Sequence, residues 1–92
     1  MEELRRYERF EVPLEIRVAW PGVETIIGIT RDFSDGGAFI YVVFPAEPPA
    51  GTFMQLQLNS QVNGKDAPII EAKVVRVTAE GIAFQFTAVP AD

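Results

Sequence analysis

Residues 10–20, FEVPLEIRVAW, alternate apolar and polar side chains. Phe10, Val12, Leu14, Ile16 and Val18 fall on one side, and Glu11, Pro13, Glu15 and Arg17 on the other. A period of two is the geometry of an extended strand with one buried face. Pro13 has no N–H to give to a ladder, so this strand carries an exposed edge or a bulge close to it. The pattern returns along the chain. Strands are expected over 24–32 (ETIIGITRD), 38–44 (AFIYVVF), 53–59 (FMQLQLN), 69–78 (IIEAKVVRVT) and 82–87 (IAFQFT). Met54, Leu56 and Leu58 point inward against outward Gln55 and Gln57. Ile82, Phe84 and Phe86 share one face. The alternation of the fifth strand slips at Val74-Val75, the mark of a β-bulge.

The intervals between these segments punctuate them. Pro21-Gly22, Asn63-Gly64 and Glu80-Gly81 are turn pairs. PAEPPAG, 45–51, can be neither helix nor central strand. Gly28 allows a bend or a close backbone approach. Six short strands, each with one apolar face, and no convincing helix predict an all-β domain. An open flat sheet would leave one apolar face wet and two edges unpaired, so closure into a six-stranded antiparallel β-barrel is expected. The organisation read from the sequence is a flexible arginine-bearing arm over 1–9, the barrel over 10–87 and a short tail over 88–92. The arm is polar all round and too short to hold a helix alone. With 92 residues, 48% of them hydrophobic and seven Phe, the chain makes one small domain with a modest core.

Composition narrows the function. The chain has no Cys and no His. Disulfides, thiolate metal sites and hydrolases built on Ser-His or Cys-His pairs are excluded. Neither a metal nor a resident cofactor is expected. No apolar run reaches the length of a membrane span, and MEELRRYERF has no apolar signal-peptide core. A cytoplasmic protein without membrane insertion is expected. The net charge of −5 argues against DNA or RNA as partner, because phosphate contacts dominate such affinity. It leaves room for a small anion at a local basic cluster.

Such a cluster exists in LRRYERF: Arg5 and Arg9 with Arg6 between them. A guanidinium offers a planar fork of donors that fits O6 and N7 of guanine or two phosphate oxygens, and its flat face stacks on a base. Taken alone, the segment reads as a solvated terminal charge cluster interleaved with Glu2, Glu3 and Glu8. The second motif is Asp32-x-Ser34-x-x-Gly37, in DFSDGGAFI. A carboxylate accepts the N1–H and N2–H of a guanine, a Ser hydroxyl serves phosphate or base, and a glycine admits a ligand to the main chain. Taken alone, Asp, Ser and Gly are ordinary turn residues. Together the motifs are more specific. If strands one and two pair antiparallel, the end of the second returns beside the start of the first and sets Asp32, Ser34 and Gly37 next to Arg9.

RxxxR, a strand, then DxSxxG opening the next apolar strand resembles the PilZ domain family, over roughly Arg5 to Thr87. VVRVTAEGIAFQF is similar to that family's closing strands. The resemblance implies a split-barrel-type six-stranded barrel that binds the bacterial second messenger cyclic di-GMP. It implies that Arg5 and Arg9, helped by Arg6, hold guanine and phosphate, and that Asp32, Ser34 and Gly37 receive a guanine. It implies a signalling receptor or adaptor, not an enzyme, which orders its arm on binding and addresses a downstream protein. Two departures carry expectations. Many relatives place a helix after the last strand; here AVPAD follows Thr87, so the barrel end is open, capped by 45–51 or covered by another chain. Leu4 stands where some relatives carry an arginine that stacks on an intercalated second ligand, so one ligand per domain is expected.

Lys73 and Arg76 are further cations that could face a ligand, although such residues ordinarily solvate the outside of a barrel. Trp20 is expected to close the core and Phe33 to anchor the turn to it. The competing function is a nucleotide-independent protein-interaction barrel. An oligonucleotide-binding barrel is opposed by the acidic charge and by the lack of aromatics interleaved with basic residues. A carboxylate enzyme would need a paired-acid site, which Asp32 and Asp35 on one turn do not make.

Overall fold

The computed structural model describes residues 12–88. Arg5, Arg6, Arg9 and Phe10 therefore lie outside the described residues, as do most of the expected tail and all of the expected arm. Among the described residues eight strands form: β1 Glu15–Ala19, β2 Ile26–Phe33, β3 Gly37–Tyr41, β4 Phe53–Leu58, β5 Gln61–Val62, β6 Lys65–Asp66, β7 Ile69–Val77 and β8 Ile82–Ala88. Six of them close an antiparallel barrel in the order β1-β2-β3-β8-β7-β4. The ladder between β1 and β4, with Ile16 opposite Leu58 and Val18 opposite Leu56, completes the ring. No helix forms among the described residues. β5 and β6 make a separate two-residue hairpin across Asn63-Gly64. Both turn residues have positive φ, 54° and 77°, the conformation that an Asn-Gly hairpin turn demands.

The core follows the alternation. Val18, Ile40, Val42, Phe44, Met54, Leu56, Ala72, Val74, Ile82 and Phe84 form one buried cluster. Phe86 packs against it from the end of β8. Trp20 does so too, its ring meeting Phe44 edge-on at 5.6 Å, so it closes the core as expected. The expected third strand is shorter as a ladder, ending at Tyr41. Val42 and Phe44 still turn inward and Val43 outward, so the alternation outlasts the pairing.

Two strands break their alternation. In β7, Val74 pairs with Phe84 and Arg76 with Ala83, so Val75 is an extra residue. This is the bulge that the slip at Val74-Val75 predicts. In β2, Thr30 pairs with Ile40 and Asp32 with Phe39, which makes Arg31 the extra residue. Strict alternation would carry Asp32 inward beside Thr30; the bulge turns it out.

The first strand differs from expectation at its start. Regular pairing begins at Glu15 rather than at Phe10, and Val12 is 57% exposed instead of facing the core. The reason is chemical. Pro13 donates nothing, and the buried Thr30 takes over the ladder's role. Its hydroxyl accepts from the Leu14 N–H (2.9 Å) and donates to the Val12 carbonyl (3.0 Å), while its N–H donates to the Leu14 carbonyl (2.9 Å). Residues 12–14 are thus fastened to β2 near its Asp32 end. Phe33 also departs from its expected role. It is half-buried and stands outside the core cluster.

The two rims have different makeup. At one, β2 turns into β3 through Ser34. At the other, the 45–51 loop folds inward: Pro48 is fully buried and borders, with Phe44, Val77 and Ile82, a cavity of about 190 Å³. The Gly51 N–H donates to the Val74 carbonyl at 2.7 Å, tying the loop's end to β7.

Candidate ligand site on the barrel surface

The turn after β2 is built by its own polar groups. The Ser34 N–H donates to the Gly37 carbonyl (2.9 Å), and the Gly36 N–H donates to the Ser34 hydroxyl (3.3 Å). Because that hydroxyl accepts here, its own proton remains available to a ligand. The Phe86 N–H donates to the Gly36 carbonyl at 3.0 Å, which fixes the turn to β8. Gly37 is demanded by the same neighbour. A Cβ there would overlap the carbonyl oxygen of Phe84. The glycine thus serves strand packing first, a reason distinct from ligand access.

Asp32, Ser34 and Gly37 line one surface pocket of about 430 Å³. That volume lies in the ordinary range for small-molecule sites. The structure brings these three expected residues together. Arg5, Arg6 and Arg9 lie outside the described residues. The pocket also takes in Arg31, Phe39, Arg76, Ala83 and Gln85, of which only Arg76 is singled out by the sequence.

Arg31 organises the near wall. Its Nε donates to Asp32 Oδ2 at 2.8 Å, and its guanidinium carbon lies 4.1 Å from the Phe39 ring centroid. The Asp32 hydrogen bond, opposed by desolvation and aided by the charge of Asp32, raises the Arg31 pKa above its ordinary value. The group is a permanent cation. Phe39 explains why the guanidinium sits there. It points away from the core cluster yet is only 4% exposed, sheltered on the barrel's outer face. Tyr41 meets it edge-on at 5.8 Å. A cation over an aromatic face is attracted by the negative face of the ring's quadrupole.

One signal for this wall was available in the sequence. Continuing the alternation of β2 puts a carboxylate on the core face, which is costly without a partner. A bulge resolves the conflict. Nothing in the sequence marks Phe39 as an outward residue that is nonetheless covered. Among the described residues, no group of three or more His, Cys, Asp or Glu could hold a metal ion. No described helix is long and apolar enough to cross a membrane.

These features define a small closed β-barrel whose chemistry sits on its outer surface at one rim, in a pocket rich in guanidinium, carboxylate and hydroxyl groups. The chain belongs to the PilZ domain family, whose model matches residues 3–92. The fold is similar to that of the PilZ domain of CeSA from a cellulose-synthesizing bacterium: 24% identity, TM-score 0.75, covering 90% of this chain and 83% of that one. It is also similar to the Bacillus subtilis inhibitor of motility (MotI/DgrA), at 18% identity and TM-score 0.72, covering 98% of this chain. The chain spans 46% of that second protein's length. No curated protein matches the sequence significantly.

Proposed function

We propose that this domain is a cytoplasmic receptor for cyclic di-GMP that acts by binding and not by catalysis. The observation that carries the reading is the gathering of Asp32, Ser34 and Gly37 in one pocket, beside the point where residues 12–14 are fastened to β2. Arg9 is three residues before Val12, so its Cα lies within about 11 Å of that anchored position. Arg9 is therefore within chain reach of the pocket rim. Membership of the PilZ family supports the ligand class.

In this reading one guanine presents N1–H and N2–H to the Asp32 carboxylate, and the Ser34 hydroxyl donates to the ligand. Arg5, Arg6 and Arg9 close over the two phosphates and the guanine edge. Fixing each arm residue costs about 1–2 kcal/mol of backbone entropy, which a few charge-assisted bonds of about 1.5–3 kcal/mol each offset. The ordered arm then presents a new surface to a downstream protein. Leu4 offers no donor for an intercalated second ligand, so one ligand binds per domain.

Calorimetric titration with cyclic di-GMP, with GTP as control, tests this. Binding of cyclic di-GMP at one ligand per chain, absent with GTP and lost in Arg9→Ala, supports the receptor. Silence towards cyclic di-GMP favours the nucleotide-independent interaction barrel. That second reading draws on the outer stripe of Ile27, Ile29, Tyr41 and Val43, which are 43–71% exposed.

A further inference from the structure

The outer face of β1, β2 and β3 carries a pattern that the ligand pocket does not use. Register sets it out in two adjacent rows. In the first, Glu15 pairs with Ile29 and Ile29 with Tyr41. In the second, Arg17 pairs with Ile27, and Val43, the next outward residue after Tyr41, falls beside Ile27. Gly28 shows that the chain still runs alongside β2 here, since a Cβ on it would come 3.0 Å from the Val42 Cβ. Each row therefore reads one charge and then two exposed apolar side chains, and the two charges are opposite. On β4 and β7 the exposed apolar residues are scattered by comparison. Phe53 and Ile69 stand two rows apart, with the Gln55–Glu71 hydrogen bond (3.1 Å) crossing between them. Single apolar residues on a surface need no partner, whereas a contiguous patch rimmed by polar groups marks a contact.

The charges beside the patch are held in place without being neutralised. Arg17 donates from Nε to Asn59 Oδ1 (2.8 Å) and from Nη1 to Gln57 Oε1 (3.2 Å), and Asn59 Nδ2 donates to Glu15 Oε1 (3.1 Å). All of these partners are neutral amides. Neither Glu15 nor Arg17 makes a salt bridge among the described residues. The two rows also fit a second copy of themselves. A twofold axis lying along the rows, midway between them, exchanges one row for the other. Glu15 of one copy then meets Arg17 of the other, Ile29 meets Ile27 and Tyr41 meets Val43, and each contact occurs twice. Such reciprocal, self-complementary contact is the isologous geometry of a twofold dimer.

We propose that the outer face of β1–β3 is a homodimer surface, on which the apolar stripe of one chain packs against that of a second copy and Glu15 and Arg17 form two reciprocal ion pairs. This surface stands apart from the ligand pocket and does not rest on the receptor reading. Six side chains on a convex wall fall short of the roughly 20–30 residues a side of a standard interface, so the dimer is weak, with a dissociation constant of about 0.01–1 mM.

The test is sedimentation equilibrium of the full chain without ligand, over the same range of about 0.01–1 mM. Wild type is expected to show a monomer–dimer equilibrium. Ile29→Thr keeps a β-branched strand former and acts twice per dimer, so association weaker by roughly 10-fold or more is expected. Glu15→Arg and Arg17→Glu each set like charges against each other and are expected to remain monomeric. Mixed in equal amounts, these two variants are expected to regain the dimer, because each supplies the sign that the other lacks. Thermal unfolding of each variant checks the fold. A wild-type chain that stays monomeric throughout overturns the proposal and leaves the stripe to a partner of different sequence. Undiminished association in Ile29→Thr puts the contact on another face and overturns it as well. A mixture that fails to associate overturns the reciprocal ion pairs on which the proposal rests.

Discussion

The two rims of this barrel are built from opposite materials. At the 45–51 rim, Trp20 meets Phe44 edge-on and Pro48 is fully buried beside a cavity lined mainly by apolar residues, with Glu47 and Thr78 on its border. At the Ser34 rim, a carboxylate, a hydroxyl and the Arg31 guanidinium border a larger pocket, which reaches across the outer wall to Arg76. The first arrangement chiefly removes apolar area from water. The second holds charge at the surface on a tether of hydrogen bonds. Under the receptor reading, the same sheet divides labour along its axis, with stability at one end and recognition towards the other.

The sharpest way to break that division is to hollow out the apolar rim. Phe44→Ala should cost about 3–5 kcal/mol of folding free energy by chemical denaturation, while molecules that remain folded bind ligand with wild-type affinity. A large affinity loss per folded molecule would mean that the rims are coupled. Next comes Asp32→Asn at the polar rim. The amide keeps the shape but replaces one acceptor with a donor facing the guanine, so titration should show roughly 100-fold weaker cyclic di-GMP binding. Thr30→Val tests the join between rim and arm. It deprives Leu14 and Val12 of their partner, and a loss of about 1–3 kcal/mol in denaturation is expected. Ser34→Ala removes the turn's hydroxyl and should cost about 1 kcal/mol in stability, with a comparable loss in binding. The smallest effect is with pH. The chain has no His, and Arg31 is raised still further above the neutral range. Affinity should therefore be flat between about pH 6 and 8. A titration step there would reveal a charge partner that this polar rim does not account for.

The apolar rim and the ladder were legible because period two survives wherever one face is buried. Met54 and Leu56, or Ile82 and Phe84, announce their face without reference to any other strand. The slip at Val74-Val75 was legible for the same reason, since two adjacent valines cannot both obey the alternation. The β2 bulge was not read. Thr30 is buried because its hydroxyl finds Val12 and Leu14, residues 18 and 16 positions earlier, and no local pattern contains such a partnership. The motif residues Asp32, Ser34 and Gly37 could be grouped from their spacing. The outer wall opposite them could not, because it depends on which residue of β8 faces which residue of β7. Gly37 was read for ligand access, while the structure adds the closeness of Phe84.

The pairing of β1 with β4 leaves the ring without a loose end. Among the described residues, the ring itself has no free ladder edge to lend to a neighbour, the common route by which exposed edges capture peptides. In the reading proposed above, a downstream protein would meet side chains of the barrel and the ordered arm, not a strand edge of the ring.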